Sequence, residues 1–194
     1  MFNKVLFGVV ESLNNVTTAR PVSADMATRT LQGIDFAHHM VHIGQSFYAI
    51  ASATLAGTDV LGFSFTAPAL TTAYTHMCVS FRGSTAGTGS ILENVTSFTG
   101  GTAYTAINLN RNSTVASGST ILWGKTGTTP LVPTGGTEIF PCYVSSGVTN
   151  GFDRAAQIEI ILKPSIKYHF GFTNGASSSQ ATVYLYWYEM IPLN

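Results

Sequence analysis

The feature that most constrains the fold is a strict alternation of apolar and polar residues near the end of the chain. In the run 157–163, Ile158, Ile160 and Leu162 fall on one face of an extended strand. The runs 166–172 and 183–188 alternate in the same way. A period of two separates the two faces of a strand, whereas a helix repeats every 3.6 residues. The pattern predicts three half-buried strands, whose core residues are Ile158, Ile160, Leu162, Tyr168, Phe170, Phe172, Leu185 and Trp187.

Shorter apolar or alternating runs occupy the chain from Ile34 onward, separated by Gly, Pro, Asn and Thr. Short strands at regular spacing with turn residues between them are typical of a β-sandwich or barrel. No helical period extends beyond a turn or two. We therefore predict an all-β fold, an antiparallel β-sandwich with jelly-roll topology. The predicted strands are 42–54, 60–66, 74–82, 90–97, 120–125, 138–144, 157–163, 167–173 and 181–190.

Residues 1–33 differ in pattern from the rest of the chain. One short apolar run, from Val5 to Val10, is followed by a polar segment that contains Pro21 and has no sustained period. Such a segment has too little apolar area to order itself. We predict an extended N-terminal arm over 1–33, ordered against a partner, and a sandwich domain over 34–194.

The low charge of the chain limits its partners. Only 9% of its residues are charged and its formal net charge is +0. Nucleic-acid binding needs clustered cations, so this composition argues against it. No apolar run approaches the length of a membrane span, so no membrane partner is expected. A neutral chain that is 45% hydrophobic tends to associate, which predicts a surface that is covered in the assembled state.

The final strand carries aromatic residues on both of its faces. Leu185 and Trp187 lie on one face, while the other face carries Tyr184, Tyr186 and Tyr188. Tyrosine buries a large area and keeps a polar tip, which suits contact with a partner. We take these three tyrosines as the candidate interface, with packing under a loop of the same chain as the alternative.

The strongest candidate for a metal-binding site is the cluster of Asp35, His38, His39 and His42. His38 and His42 are four residues apart and share a face of a helix or a strand, so they could present two imidazoles to a metal. A metal site needs further ligands, which only Asp35 or distant histidines could supply. We therefore interpret the four residues as a structural cluster whose rings bind backbone carbonyls, and we assign no metal.

No other motif indicates catalysis. The letters Gly-Lys-Thr at 124–126 lack the preceding glycine and the following helix of a phosphate loop. The nine acidic residues are scattered singly, and no nucleophile elbow is present. We predict that the protein is not an enzyme, with no catalytic residues and no cofactor.

Three segments occur in a fixed order: LQGIDFAHHMVHIGQSFYAI from Leu31, TAINLNRNSTVA from Thr105, and LKPSIKYHFGFTN from Leu162 with YLYWYEM after it. They resemble the stretches IDYAHHEIHxGxSF, NxNRNS, LKPxTxY and terminal WYE of a family of tailed-bacteriophage virion proteins. The chain departs from that pattern at Met40, where Glu is usual, and at Leu109. The missing Glu weakens any metal or proton role for the histidines.

The resemblance implies a structural component of the phage particle, a capsid decoration or cement protein that stabilises the capsid lattice. Its partners would be the major capsid protein and further copies of itself in a homotrimer. It would be made in the cytoplasm of the host bacterium and lie on the capsid exterior. The alternative is a tail- or fibre-associated host-recognition module that binds surface carbohydrate through Trp123, Tyr184 or Tyr186.

Overall fold

The computed structural model describes residues 36–69, 74–144, 158–175 and 178–190. The chain divides into two compact units, 1–39 and 40–194. Of the first unit, only 36–39 are described, so the predicted arm, 1–33, and Asp35 lie outside the described residues. The fold below is that of the second unit.

One short helix and thirteen strands make up the described part of the chain. The helix α1 spans Phe36–His42. The strands are β1 (Ser46–Ala56), β2 (Val60–Thr66), β3 (Tyr74–Gly83), β4 (Gly87–Glu93), β5 (Ser97–Gly100), β6 (Thr102–Ala103), β7 (Ile107–Asn108), β8 (Thr120–Lys125), β9 (Leu131–Thr134), β10 (Thr137–Val144), β11 (Ile158–Leu162), β12 (Lys167–Asn174) and β13 (Ser178–Met190).

The strands form two packed sheets and a two-stranded ribbon. Sheet I has the order β11-β3-β13-β1-β7, and sheet II has the order β10-β4-β12-β2-β8-β6. The ribbon pairs β5 with β9. Every strand pair in the described ranges is antiparallel. The prediction of an all-β antiparallel sandwich is therefore confirmed, while the jelly-roll topology stays a prediction.

The core lies between the inward faces of the two sheets. Phe47 and Leu185 of sheet I meet Phe63 and Phe170 of sheet II in one buried cluster. Alternation along each strand produces this cluster, because every second side chain points inward. The core prediction is confirmed for six buried residues: Leu162, Tyr168, Phe170, Phe172, Leu185 and Trp187. Ile160 packs partly buried against them, and the side chain of Ile158 is not described.

The start of the domain differs from the sequence prediction. We predicted a strand from His42, but α1 occupies Phe36–His42 and β1 begins only at Ser46. The helix ends because Gly44 adopts a φ of 76°, a left-handed conformation that glycine takes without steric cost. The amide of Gln45 then donates to the carbonyl of Met40 at 2.9 Å, which satisfies one of the last helical carbonyls.

Candidate functional site

The outward face of sheet I is an aromatic surface, which we call the tyrosine face: Tyr48, Tyr184, Tyr186 and Tyr188. Tyr48 on β1 pairs with Tyr186 on β13, and the rings of Tyr48 and Tyr184 lie 6.1 Å apart. Ile50 and Ile161 are exposed on the same sheet, on strands either side of β13 and β3. The structure therefore brings the three candidate interface tyrosines onto one face, together with Tyr48, which the sequence interpretation missed.

Tyr188 differs from the other two candidate tyrosines because it is only 7% exposed. Its hydroxyl donates to Glu159 Oε1 at 2.8 Å, and its ring stacks on His76 with centroids 4.7 Å apart. The hydrogen bonds from Tyr188 and His76 lower the pKa of Glu159, while burial and the nearby carboxylate raise the pKa of Tyr188. This network fixes Tyr188 within its own subunit, and it leaves half-buried Tyr184 and Tyr186 as the better contact residues.

The histidine cluster lies on α1, with His38, His39 and His42 exposed. The distant histidines that would have to complete a metal set, His76 and His169, lie on β3 and β12 in different sheets. Within the described ranges, no three His, Cys, Asp or Glu side chains are close enough to hold a metal ion. The backbone carbonyl of His42 accepts a hydrogen bond from Asn110 Nδ2 at 2.9 Å.

The buried side chain of Asn108 joins the end of α1 to the loop that follows β7. Its Nδ2 donates to the carbonyl of Gly44 at 2.8 Å and to that of Val115 at 2.9 Å. Its Oδ1 accepts from the amide of Asn110 at 2.9 Å. Both amide donors and the amide oxygen of Asn108 are thus hydrogen-bonded, to the loop and to the end of α1.

Glu189 holds the other end of the same loop and is only 4% exposed. Its carboxylate accepts from Ser117 Oγ at 2.6 Å, the Gly118 amide at 2.9 Å and Ser119 Oγ at 3.0 Å. It also accepts from Trp187 Nε1 at 3.1 Å. The segments around His42, Asn108 and Glu189 therefore meet in one cluster that we call the loop anchor.

We expect the change Glu189→Gln to lower the free energy of unfolding by about 1–3 kcal/mol. A carboxylate only accepts, whereas an amide places its N–H₂ group against one of four donors and leaves that donor unsatisfied. Chemical denaturation at neutral pH measures the loss. The matched control is Glu138→Gln, an exposed carboxylate on β10 that should change stability little. Equal small effects of both changes would contradict the anchoring role.

A cavity of about 330 Å³ opens on the outward face of sheet II, and its walls are mostly apolar. It is lined by Val60, Ser90, Leu92, Thr126, Pro130, Leu131, Val132, Pro133, His169 and Thr173. His169 is only 4% exposed, and neither of its ring nitrogens makes a hydrogen bond within the described structure. Burial lowers the pKa of His169 to about 4, so the ring is neutral at pH 7. No sequence pattern pointed to this site.

The two cysteines do not show the features of catalytic thiols. Cys78 and Cys142 are free and partly buried, on strands of different sheets. Burial and then the charge of Glu159 raise the pKa of Cys78 to about 11, and burial raises the pKa of Cys142. A reactive thiol has a lowered pKa, which neither cysteine shows.

The three residues of the carbohydrate alternative do not lie together. Trp123, on β8, packs partly buried against the core of the sandwich. Tyr184 and Tyr186 lie on the outward face of sheet I. A carbohydrate platform would therefore have to rest on the tyrosines without Trp123.

Comparison with known proteins assigns no family to the chain. No helix among the residues described is long and apolar enough to cross a membrane. No protein-family model, no curated protein and no solved structure matches this chain.

Proposed function

We propose that this protein is a non-enzymatic structural component of a bacteriophage particle, a decoration or cement protein on the capsid exterior. In this proposal it binds the major capsid protein and assembles as a homotrimer, and it is made in the cytoplasm of the bacterial host. The observation that carries the proposal is the tyrosine face. It supplies a broad contact surface on the rigid scaffold of an antiparallel sheet.

The residue types on this face fit a protein partner. Tyr184 and Tyr186 each offer an apolar ring with a hydroxyl, and exposed Ile50 and Ile161 extend the apolar area on either side. Interfaces are enriched in tyrosine and depleted in charged residues at their centres. The formal net charge of +0 avoids repulsion between copies brought together on a lattice. These features support a docking role for sheet I.

The loop anchor supports a structural role for the segments that resemble virion proteins. Hydrogen bonds to backbone groups and hydroxyls of the same chain are made by the side chains of Asn108, Asn110 and Glu189. Groups committed in this way stabilise one loop conformation and are not positioned to act on a substrate. Such a role fits the structural function proposed for this protein.

The test is binding to phage shells that lack this protein. We expect the double change Tyr184→Ser and Tyr186→Ser to weaken shell binding at least about tenfold, because central interface tyrosines carry much of the binding energy. Sedimentation of shells with bound protein measures the occupancy. The matched control is Ile139→Ser, which removes a partly exposed apolar side chain from β10 in sheet II.

Two outcomes would contradict the proposal. Unchanged occupancy of the double variant would exclude the tyrosine face as the contact. Copy number in purified particles separates the two functions, because a shell protein is present at many copies and a tail or fibre protein at few. A low copy number combined with carbohydrate binding that is lost in the double variant would favour the host-recognition alternative.

A further inference from the structure

A row of glycines crosses sheet II beside His169, one of the residues that line the cavity. Gly62 on β2 pairs with Gly171 on β12 and with Gly124 on β8. A Cβ at Gly171 would lie 2.6 Å from His169 Cε1, and a Cβ at Gly62 would lie 2.9 Å from His169 Nε2. Both distances are shorter than a Cβ atom can accept, so only glycine at these two positions leaves room for the imidazole to pack against the sheet. We call Gly62 and Gly171 the glycine floor.

The buried imidazole has unused hydrogen-bonding capacity. The ring atoms nearest the glycine floor are Cε1, Nδ1 and Nε2, so the opposite edge carries Cδ2. A half-turn about the Cβ–Cγ bond, a broad two-fold torsion in histidine, exchanges Nδ1 with Cδ2. That turn brings a nitrogen to the edge away from the floor. A neutral imidazole can then either donate to or accept from a hydroxyl group.

The remaining walls select an uncharged apolar group. Apart from His169, the described residues that line the cavity carry no ionisable side chain, and most of them are aliphatic or proline. A charged ligand would lose its hydration there without gaining a partner, which is costly. A flat apolar ring that bears one hydroxyl would bury its carbons against the walls and pair its oxygen with the imidazole. Phenol has this chemistry, and tyrosine is its form in proteins.

A tyrosine suited to such a pocket projects from the same sheet. Tyr143 on β10 is 91% exposed, the highest value among the large hydrophobic residues described. Its neighbour Cys142 points into the sandwich, because Cys142 Sγ lies with Phe81 beside Gly89. Tyr143 therefore points outward, on the face that carries the cavity. Its cross-strand row continues through Thr88 to Thr173, a residue of the cavity wall.

We propose that the cavity over the glycine floor binds a phenol ring, and that Tyr143 of a second copy of this chain supplies that ring. The occupant is argued from charge and exposure: the cavity is uncharged, the chain has a formal net charge of +0, and Tyr143 is almost fully exposed. Each copy carries both Tyr143 and this cavity. A closed ring of copies uses every tyrosine and every cavity and leaves no open end. This contact specifies the self-association in the proposed function and rests on it.

The first experiment measures the mass of the protein in solution by light scattering. We expect the wild type to be a trimer and Tyr143→Ala to be a monomer with unchanged circular dichroism, since an exposed side chain adds little to stability. Ile139→Ala, on the same strand, is the matched control and should keep the wild-type mass. A monomeric wild type, or a Tyr143→Ala variant with the wild-type mass, would overturn the proposal.

The second experiment uses 4-methylphenol as a free tyrosine side chain. Added to the Tyr143→Ala variant, it should give a saturable shift of the His169 ring nitrogens in ¹⁵N-resolved NMR spectra. Toluene, which lacks the hydroxyl, should bind at least about tenfold more weakly, because it cannot make the hydrogen bond to the imidazole in this buried site. Equal binding of toluene, or no shift, would overturn the role of His169. Binding of 4-methylphenol without any effect of Tyr143→Ala on mass would overturn the second copy as occupant.

These outcomes are separable from the proposed function. Copy number in purified particles is measured on the wild type and does not depend on Tyr143. A wild-type trimer whose mass is unchanged by Tyr143→Ala, found in particles at the copy number of a shell component, would overturn this inference and leave the proposed function standing. A Tyr143-dependent trimer that is absent from particles would do the reverse.

Discussion

Replacing Trp187 by Ala is expected to lower the free energy of unfolding by about 3–5 kcal/mol. The indole is fully buried at 0% exposure, with its ring edge-to-face on Phe65 at 5.2 Å and tilted against Phe47 at 5.9 Å. Its removal leaves a cavity between the two sheets and takes one donor from the carboxylate of Glu189. Urea denaturation at pH 7 measures the loss.

Two further variants separate the causes of that loss. Trp187→Phe keeps an aromatic ring in the core but removes the Nε1 donor, so it should cost less than Trp187→Ala. Ile161→Thr keeps a β-branched side chain at a site that is 62% exposed, so it should change stability by less than about 1 kcal/mol. A cost below about 1 kcal/mol for Trp187→Ala would contradict its place in the core.

The strands were predictable because the alternation of apolar and polar residues that identifies each one lies within its own sequence. Alternation in β11, β12 and β13 depends on which side chains can face a core, and the buried residues Leu162, Phe170 and Leu185 follow that pattern. The helix α1 was missed for the opposite reason. It is only seven residues long. Its end is held by Asn108, which is distant in sequence and donates to the carbonyl of Gly44.

The loop anchor and the cavity could not be predicted because they depend on register between distant strands. Glu189 reaches the loop at Ser117 only once β13 has paired with β1 and β3. The glycine floor requires Gly62 and Gly171 to be direct cross-strand partners, which neither strand reveals alone. The same holds for Tyr188. The sequence of β13 predicts which face carries this residue, but its contacts with Glu159 and His76 arise only from the pairing of β11 with β3 and of β3 with β13.

Acidification is expected to destabilise the protein through His169, by about 3 kcal/mol between pH 6.5 and pH 4. Burial lowers the pKa of His169 from 6.5 to about 4 in the folded chain. Between these two pH values the unfolded chain binds a proton that the folded chain does not, so stability falls as pH falls. Above pH 6.5 both states are neutral at this residue, and below pH 4 both are protonated, so the contribution is constant outside this window.

Denaturation measured at intervals from pH 7.5 to pH 4 tests this prediction by comparing the wild type with His169→Gln. The variant cannot titrate at this site, so the wild type should lose about 3 kcal/mol more than the variant across the window.

Glu93 and Glu159 also have lowered pKa values, Glu93 mainly through its hydrogen bond from Lys163. Both carboxylates lose their stabilising effect as pH falls through these values. That loss is common to both proteins and cancels in the comparison. His39→Gln, which removes an exposed imidazole on α1 away from the cavity, is the matched control. Parallel curves for the wild type and His169→Gln would mean that the imidazole is hydrated or paired in solution, and that the glycine floor does not hold it in a dry site.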